Sequence, residues 1–151
     1  MSYQELLNIA EYYGLNVREA PLRVCDGLIC GNDIAIRSDI DDGIQKGCVL
    51  AEELGHYATT VGDILSSGKD RSGKQELKAR RWAHGLLLPI SRLYEAQEAG
   101  CQNRFEVAEY LGVTEDFLQE ALDNYQLILG KETDINGFHI SFDPLYIKKT
   151  A

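Results

Sequence analysis

The stretch Cys48-Val-Leu-Ala-Glu52-Glu53-Leu-Gly-His56-Tyr57 decides how the chain is read. Val49, Leu50, Glu53, Leu54 and Tyr57 recur at helical spacing, so a helix is expected from Ile44 to about Thr60. Positions four apart on a helix are offset by about 40°, which puts Glu52 and His56 on one face, with Glu53 about 100° further round. This is the geometry of a His-Glu-x-x-His zinc helix with Glu52 in place of the first histidine, and carboxylate oxygen is an acceptable zinc ligand. An acidic doublet near a histidine is equally the mark of a solvated helix face. The stretch alone leaves both readings open.

Downstream, Glu76-Leu-Lys-Ala79-Arg-Arg-Trp82-Ala83 sets Glu76, Ala79 and Ala83 on one face of a helix expected from about Gln75 to Leu88, ending before Pro89. Two alanines let a neighbouring helix come close, as a third ligand reaching across requires. The plainer reading is a helix packing its small side on the core, with Glu76 an acidic residue favoured by the N-terminal dipole.

Around these helices the pattern is mixed. Leu6, Leu7, Ala10 and Tyr13 predict a helix over 3–13, stopped by Gly14. A short strand is expected from Leu15 to Ala20, then a hairpin of 26–30 and 33–37 about Gly31-Asn32. An acidic loop over 39–43 is expected to cap the next helix, and Gly62 to Lys74 reads as an exposed loop. Ile90 to Glu98 continues as a helix. Phe105–Leu111 and Thr114–Tyr125 form a helix pair about Gly112, and 137–142 a terminal strand closed by Asp143-Pro144. The expected fold is α+β, a helical core with a small antiparallel sheet over 1–100 and a C-terminal helix pair with its strand over 101–151.

Composition narrows the classes of function. The chain has 151 residues, 15 Lys and Arg against 24 Asp and Glu, and a formal net charge of −9. That balance opposes duplex DNA and anionic membranes. The longest strongly apolar run, Gly85 to Ile90, is far short of the roughly 20 residues of a membrane span, and the first residues lack the charged and apolar regions of a secretory signal. A cytoplasmic protein is expected. Cys25, Cys30, Cys48 and Cys101 lack metal or redox spacing and read as buried small apolar residues in a reducing compartment.

The two spaced motifs together, Leu50-Ala-Glu-Glu-Leu-Gly-His56-Tyr and Glu76-x-x-Ala79-x-x-Trp82-Ala83-x-x-Leu-Leu-Leu-Pro89, resemble those of the ImmA/IrrE family of metallopeptidases over residues 1–100. The helix pair and final strand resemble the extension of phage and prophage members. The resemblance implies a zincin-like fold and cleavage of a helix-turn-helix repressor belonging to a mobile element or stress circuit. Carried over, Glu52, His56 and Glu76 would bind Zn²⁺, and Glu53 would be the general base acting on water. The sequence departs from the family at Glu52, where His is usual, and at Arg80, where Asn is usual. Two carboxylates and one imidazole leave the ion formally neutral, whereas two imidazoles and one carboxylate leave it one unit positive. The neutral site acidifies water less, so slow peptidase action, or metal binding without it, is the alternative.

Asp63, seven residues past His56, is a rival third ligand. His84 reads as a partly buried surface histidine, and His139 as structural. Tyr57, Thr59 and Thr60 are candidates to orient a ligand or cap the helix end, and Tyr94 to stabilise an oxyanion. Glu53-x-x-His56 is half of a di-iron signature whose second copy is missing. The 105–125 pair mimics a helix-turn-helix, but it carries Glu106, Glu109, Glu115, Asp116, Glu120 and Asp123 and no Lys or Arg, so it would repel phosphate. A partner protein is the better expectation for it, and a basic repressor suits that surface. The adaptor alternative, a catalytically weak or silent protein holding a transcription regulator on these acidic helices, follows from the same charges.

Overall fold

A computed structural model describes residues 1–60 and 73–150, which form two compact units, Met1–Leu86 and Leu87–Ala151. In the first unit α1 (Tyr3–Tyr12) starts where the Ser2 hydroxyl accepts from the Glu5 N–H, and it buries Leu6 and Ala10. Gly14, at φ +73°, turns the chain into β1 (Asn16–Ala20). β2 (Gly27–Cys30) and β3 (Asp33–Arg37) form the expected hairpin about Gly31-Asn32.

The sheet order is β1-β3-β2. The β2–β3 pair is antiparallel as expected, whereas β1 runs parallel to β3, from Asn16 opposite Asp33 to Ala20 opposite Arg37. The sheet is therefore mixed. Ile34 and Ile36 point inward at the period of two that a half-buried strand requires, and both are fully buried. α2 (Gly43–Thr60) begins where the Asp42 carboxylate accepts from the Ile44 N–H, the cap expected of the acidic loop. It packs on α1, β2 and β3, and it buries Leu50, Ala51 and Leu54. α3 (Gly73–Leu87) completes the unit. Most of the loop read between Gly62 and Lys74, Asp63 included, lies outside the described residues.

In the second unit α4 (Ile90–Glu98) follows Pro89. α5 (Arg104–Leu111) is capped by Asn103 and stopped by Gly112 at φ +71°, and α6 (Glu115–Leu129) is capped by Thr114. The helix pair is as expected. The tail differs from its reading as one strand. β4 (Glu132–Ile135), β5 (Phe138–Phe142) and β6 (Leu145–Lys149) form an antiparallel meander. Asn136 and Gly137, at φ +51° and +82°, make the two-residue turn between β4 and β5, and Asp143-Pro144 joins β5 to β6 rather than ending the sheet. Each strand buries little, Ile140, Phe142 and Ile147 being its core residues, so hydrophobic periodicity hardly announces it.

The cysteines depart from their reading. None of the four is in a disulfide, but only Cys48 is buried; Cys25 and Cys101 are half-buried and Cys30 is exposed. No helix among the described residues is long and apolar enough to cross a membrane.

The outer edge of β6 is satisfied by a side chain. Gln97 donates to the Ile147 carbonyl at 2.6 Å and accepts from the Ile147 N–H at 2.8 Å, so one amide closes both backbone groups of a buried residue. Gln97→Ala is expected to lower stability by about 1–3 kcal/mol, because two polar groups lose their partner. Gln97→Glu, which keeps the acceptor and loses the donor, should fall between, as denaturant unfolding would measure.

Candidate metal centre

The approach of α2 to α3 is set by residues that have almost no side chain. A Cβ built on Gly55 would stand 2.2 Å from the Ala79 carbonyl oxygen and 2.9 Å from its carbon. No side chain fits there. Ala79 and Ala83 are fully buried, so the small face read from the sequence is the packed one. His56 is the next residue after Gly55, and Glu76 lies almost one turn before Ala79. The crossing that seats Gly55 on Ala79 thus brings the His56 Nε2 to 3.2 Å from the Glu76 Oε1. The imidazole side chain is 6% exposed and the carboxylate 26%. The pair is sheltered but reachable.

That separation is what a tetrahedral ion asks of two of its ligands. Donors about 2.0–2.2 Å from zinc stand roughly 3.4 Å apart across a tetrahedral edge. A neutral imidazole nitrogen and a carboxylate oxygen are also an ordinary zinc donor set. His56 and Glu76 fit two corners of such a site. Glu52, four residues before His56 on α2, is half-buried. Among the described residues no three His, Cys, Asp or Glu side chains converge closely enough to share an ion, so Glu52 is not drawn into a group with His56 and Glu76. Asp63 lies outside the described residues.

Glu53 is 3% exposed and belongs to a different face. It turns towards β2, where its Cγ and Oε1 lie 3.0 Å from the place a Cβ of Gly27 would occupy. Burial of an acidic side chain is costly in an apolar setting.

The threonines after His56 serve the helix end. Thr59 donates to the Gly55 carbonyl at 2.8 Å, and Thr60 donates to the His56 carbonyl. Tyr57 packs its ring on Tyr13 at 5.9 Å. Tyr94, in the second unit, packs on Phe138 at 5.1 Å, and the His139 Nδ1 lies 2.7 Å from the Asp134 carboxylate in the terminal sheet.

His84 departs from its reading as a partly buried surface histidine. It is 2% exposed, and burial, with Arg80 and Arg81 adding repulsion, pushes its pKa down to about 4. His84 stands about 80° off the face of Glu76, Ala79 and Ala83, so the buried arc of α3 is wider than its small face and spacing alone did not show it.

The family model described as the IrrE N-terminal-like domain, that of the M78 peptidases, matches residues 10–123. The match takes in both motif helices and reaches into α6. No curated protein and no solved structure matches the chain.

Two outcomes test this geometry. Gly55→Ala forces the Ala79 backbone to move, and overpacking of this kind costs about 1–3 kcal/mol. Denaturant unfolding would measure that loss. The second concerns pH. His84 titrates near 4 in the folded chain and near 6.5 when unfolded, so between those values the unfolded chain binds more protons. Stability is then lost as pH falls from 6.5 towards 4. His84→Asn should flatten that part of the melting temperature profile relative to wild type.

Proposed function

The chain belongs to the M78 peptidase family through its IrrE N-terminal-like domain, which makes it metallopeptidase-like, and from that premise we propose that it is a cytoplasmic zinc metallo-endopeptidase that cleaves a helix-turn-helix repressor of a phage or other mobile element. The observation that carries the proposal is the 3.2 Å contact of His56 with Glu76 across two helices that meet without intervening side chains. A carboxylate and an imidazole brought together from separate helices are what a solvated helix face would not produce.

In this reading Glu52 and His56 hold zinc from α2 and Glu76 holds it from α3. Zinc, when bound, supplies Lewis acidity towards water and the scissile carbonyl. Glu53 takes the proton of the attacking water on a carboxylate oxygen and passes it to the leaving amine, a transfer generally worth about 10²–10⁴-fold in rate. Its burial keeps bulk water from that oxygen. His56 is held by the Thr60 cap on its own carbonyl, which ties the last turn of α2 at the ligand. Glu52 and Glu76 together carry two negative charges, so the donor set favours tight metal binding over strong acidification of water. A slow enzyme follows from that charge.

A second reading, the silent adaptor, is favoured by Glu52 standing where the family has histidine. In that case a transcription regulator would dock on α5 and α6, whose residues from Phe105 to Tyr125 include six acidic side chains and no Lys or Arg.

Protein purified without chelator should contain about one zinc per chain. Glu76→Ala should lose it and Asp63→Ala keep it. Glu53→Gln should retain zinc yet cleave a helix-turn-helix repressor from the same genome about 10²–10⁴-fold more slowly than wild type, as a single-turnover gel assay would show. Equal behaviour of wild type and Glu53→Gln towards that repressor would establish the adaptor.

A further inference from the structure

Gly27 opens β2 at a position where the backbone gives no reason for glycine. Its φ lies outside the left-handed region, and it faces Ile36 in regular antiparallel register. Glycine in a strand also loses more conformational entropy on folding than alanine would. Along β2, Gly27 and Ile29 are buried and point towards α2, while Leu28 and Cys30 are exposed. Ile29 fills its inward place with its own side chain.

At Gly27 the inward place is taken by α2. A Cβ there would stand 2.7 Å from the Val49 Cγ1 and 3.0 Å from both the Cγ and the Oε1 of Glu53. Val49 and Glu53 are four apart and so neighbours on one face of α2. The slot left by the missing side chain is therefore occupied by an aliphatic tip and by the carboxylate arm of Glu53.

We infer that Gly27 is a positioning residue, its missing side chain leaving the slot in which β2 holds the Glu53 carboxylate. The inference rests on the reading of Glu53 as the base. The purely structural account, in which Gly27 only lets α2 close on the sheet, runs through Val49, the nearer contact. Trimming Val49 removes that account and leaves the contact with Glu53.

The experiment uses the full chain loaded with Co²⁺, whose visible spectrum is followed against pH. Glu53→Gln should shift the midpoint of that titration. Val49→Ala and Leu28→Ala, the latter on the outer face of β2, should leave it at the wild-type value. Gly27→Ala/Val49→Ala should bind cobalt with wild-type stoichiometry and shift the midpoint in the same direction as Glu53→Gln. A wild-type midpoint in that double variant overturns the inference. Failure of wild type to bind cobalt overturns the metal reading itself, and an unmoved midpoint in Glu53→Gln overturns the base. Should the double variant not fold, metal-free melting decides. The loss caused by Gly27→Ala should shrink when Glu53 is shortened to Ala, as coupled neighbours require, and an undiminished loss overturns the inference.

Discussion

The contact of Gly55 with the Ala79 backbone is the constraint from which the arrangement of the candidate centre follows. Two helices that carried side chains at this point would stand further apart, since interiors are close-packed and a methyl group must displace something. Here the carbonyl of Ala79 occupies the volume that a Cβ of residue 55 would need. His56 and Glu76 lie one residue and one turn away from that point. Their 3.2 Å separation is therefore a consequence of backbone proximity, not of long side chains reaching across a gap. The driving force lies elsewhere, in the burial of apolar residues such as Leu50 and Leu54 on α2, which packs on α1 and the first sheet.

Buried polarity in the described residues is concentrated on these two helices. Glu53, His56 and His84 are the buried polar or charged residues, and all three belong to α2 or α3. Such groups cost free energy wherever water is excluded, so their clustering separates this region from the second unit, whose core is apolar. Glu53 is enclosed between α2 and β2, and His84 is held neutral near pH 7 inside α3. The first unit thus buries both a carboxyl side chain and a histidine whose protonation in acid opposes folding. These are different consequences of the same scarcity of water.

The helix spans were nearly all legible, because periodicity, caps and stop signals are local. Asp42, Asn103 and Thr114 cap the helices they precede, and Gly14 and Gly112 end the ones they follow. The terminal meander was not read, although Asn136-Gly137 is a strong hairpin signal. Glu132, Asp134, Lys148 and Lys149 give its outer strands the polarity of a solvated tail, since β4 exposes two of its four residues and β6 buries only Ile147. The direction of β1 was equally out of reach. Alternation marks a strand but says nothing about which neighbour it pairs with or in which sense.

Residue spacing alone determined that Glu52 and His56 share a helix face, that Glu76 shares one with Ala79 and Ala83, and that the chain is α+β. Those are properties of a single helix or strand, fixed by the rise and twist of the backbone. Which faces meet is a property of two elements at once. Only the folded chain decided that Gly55 rests on Ala79, that His56 reaches Glu76, and that Glu53 fills the slot beside Gly27. The reason is steric: contacts between segments distant in sequence depend on the volume left over when everything else has packed, and that volume is written in no local pattern.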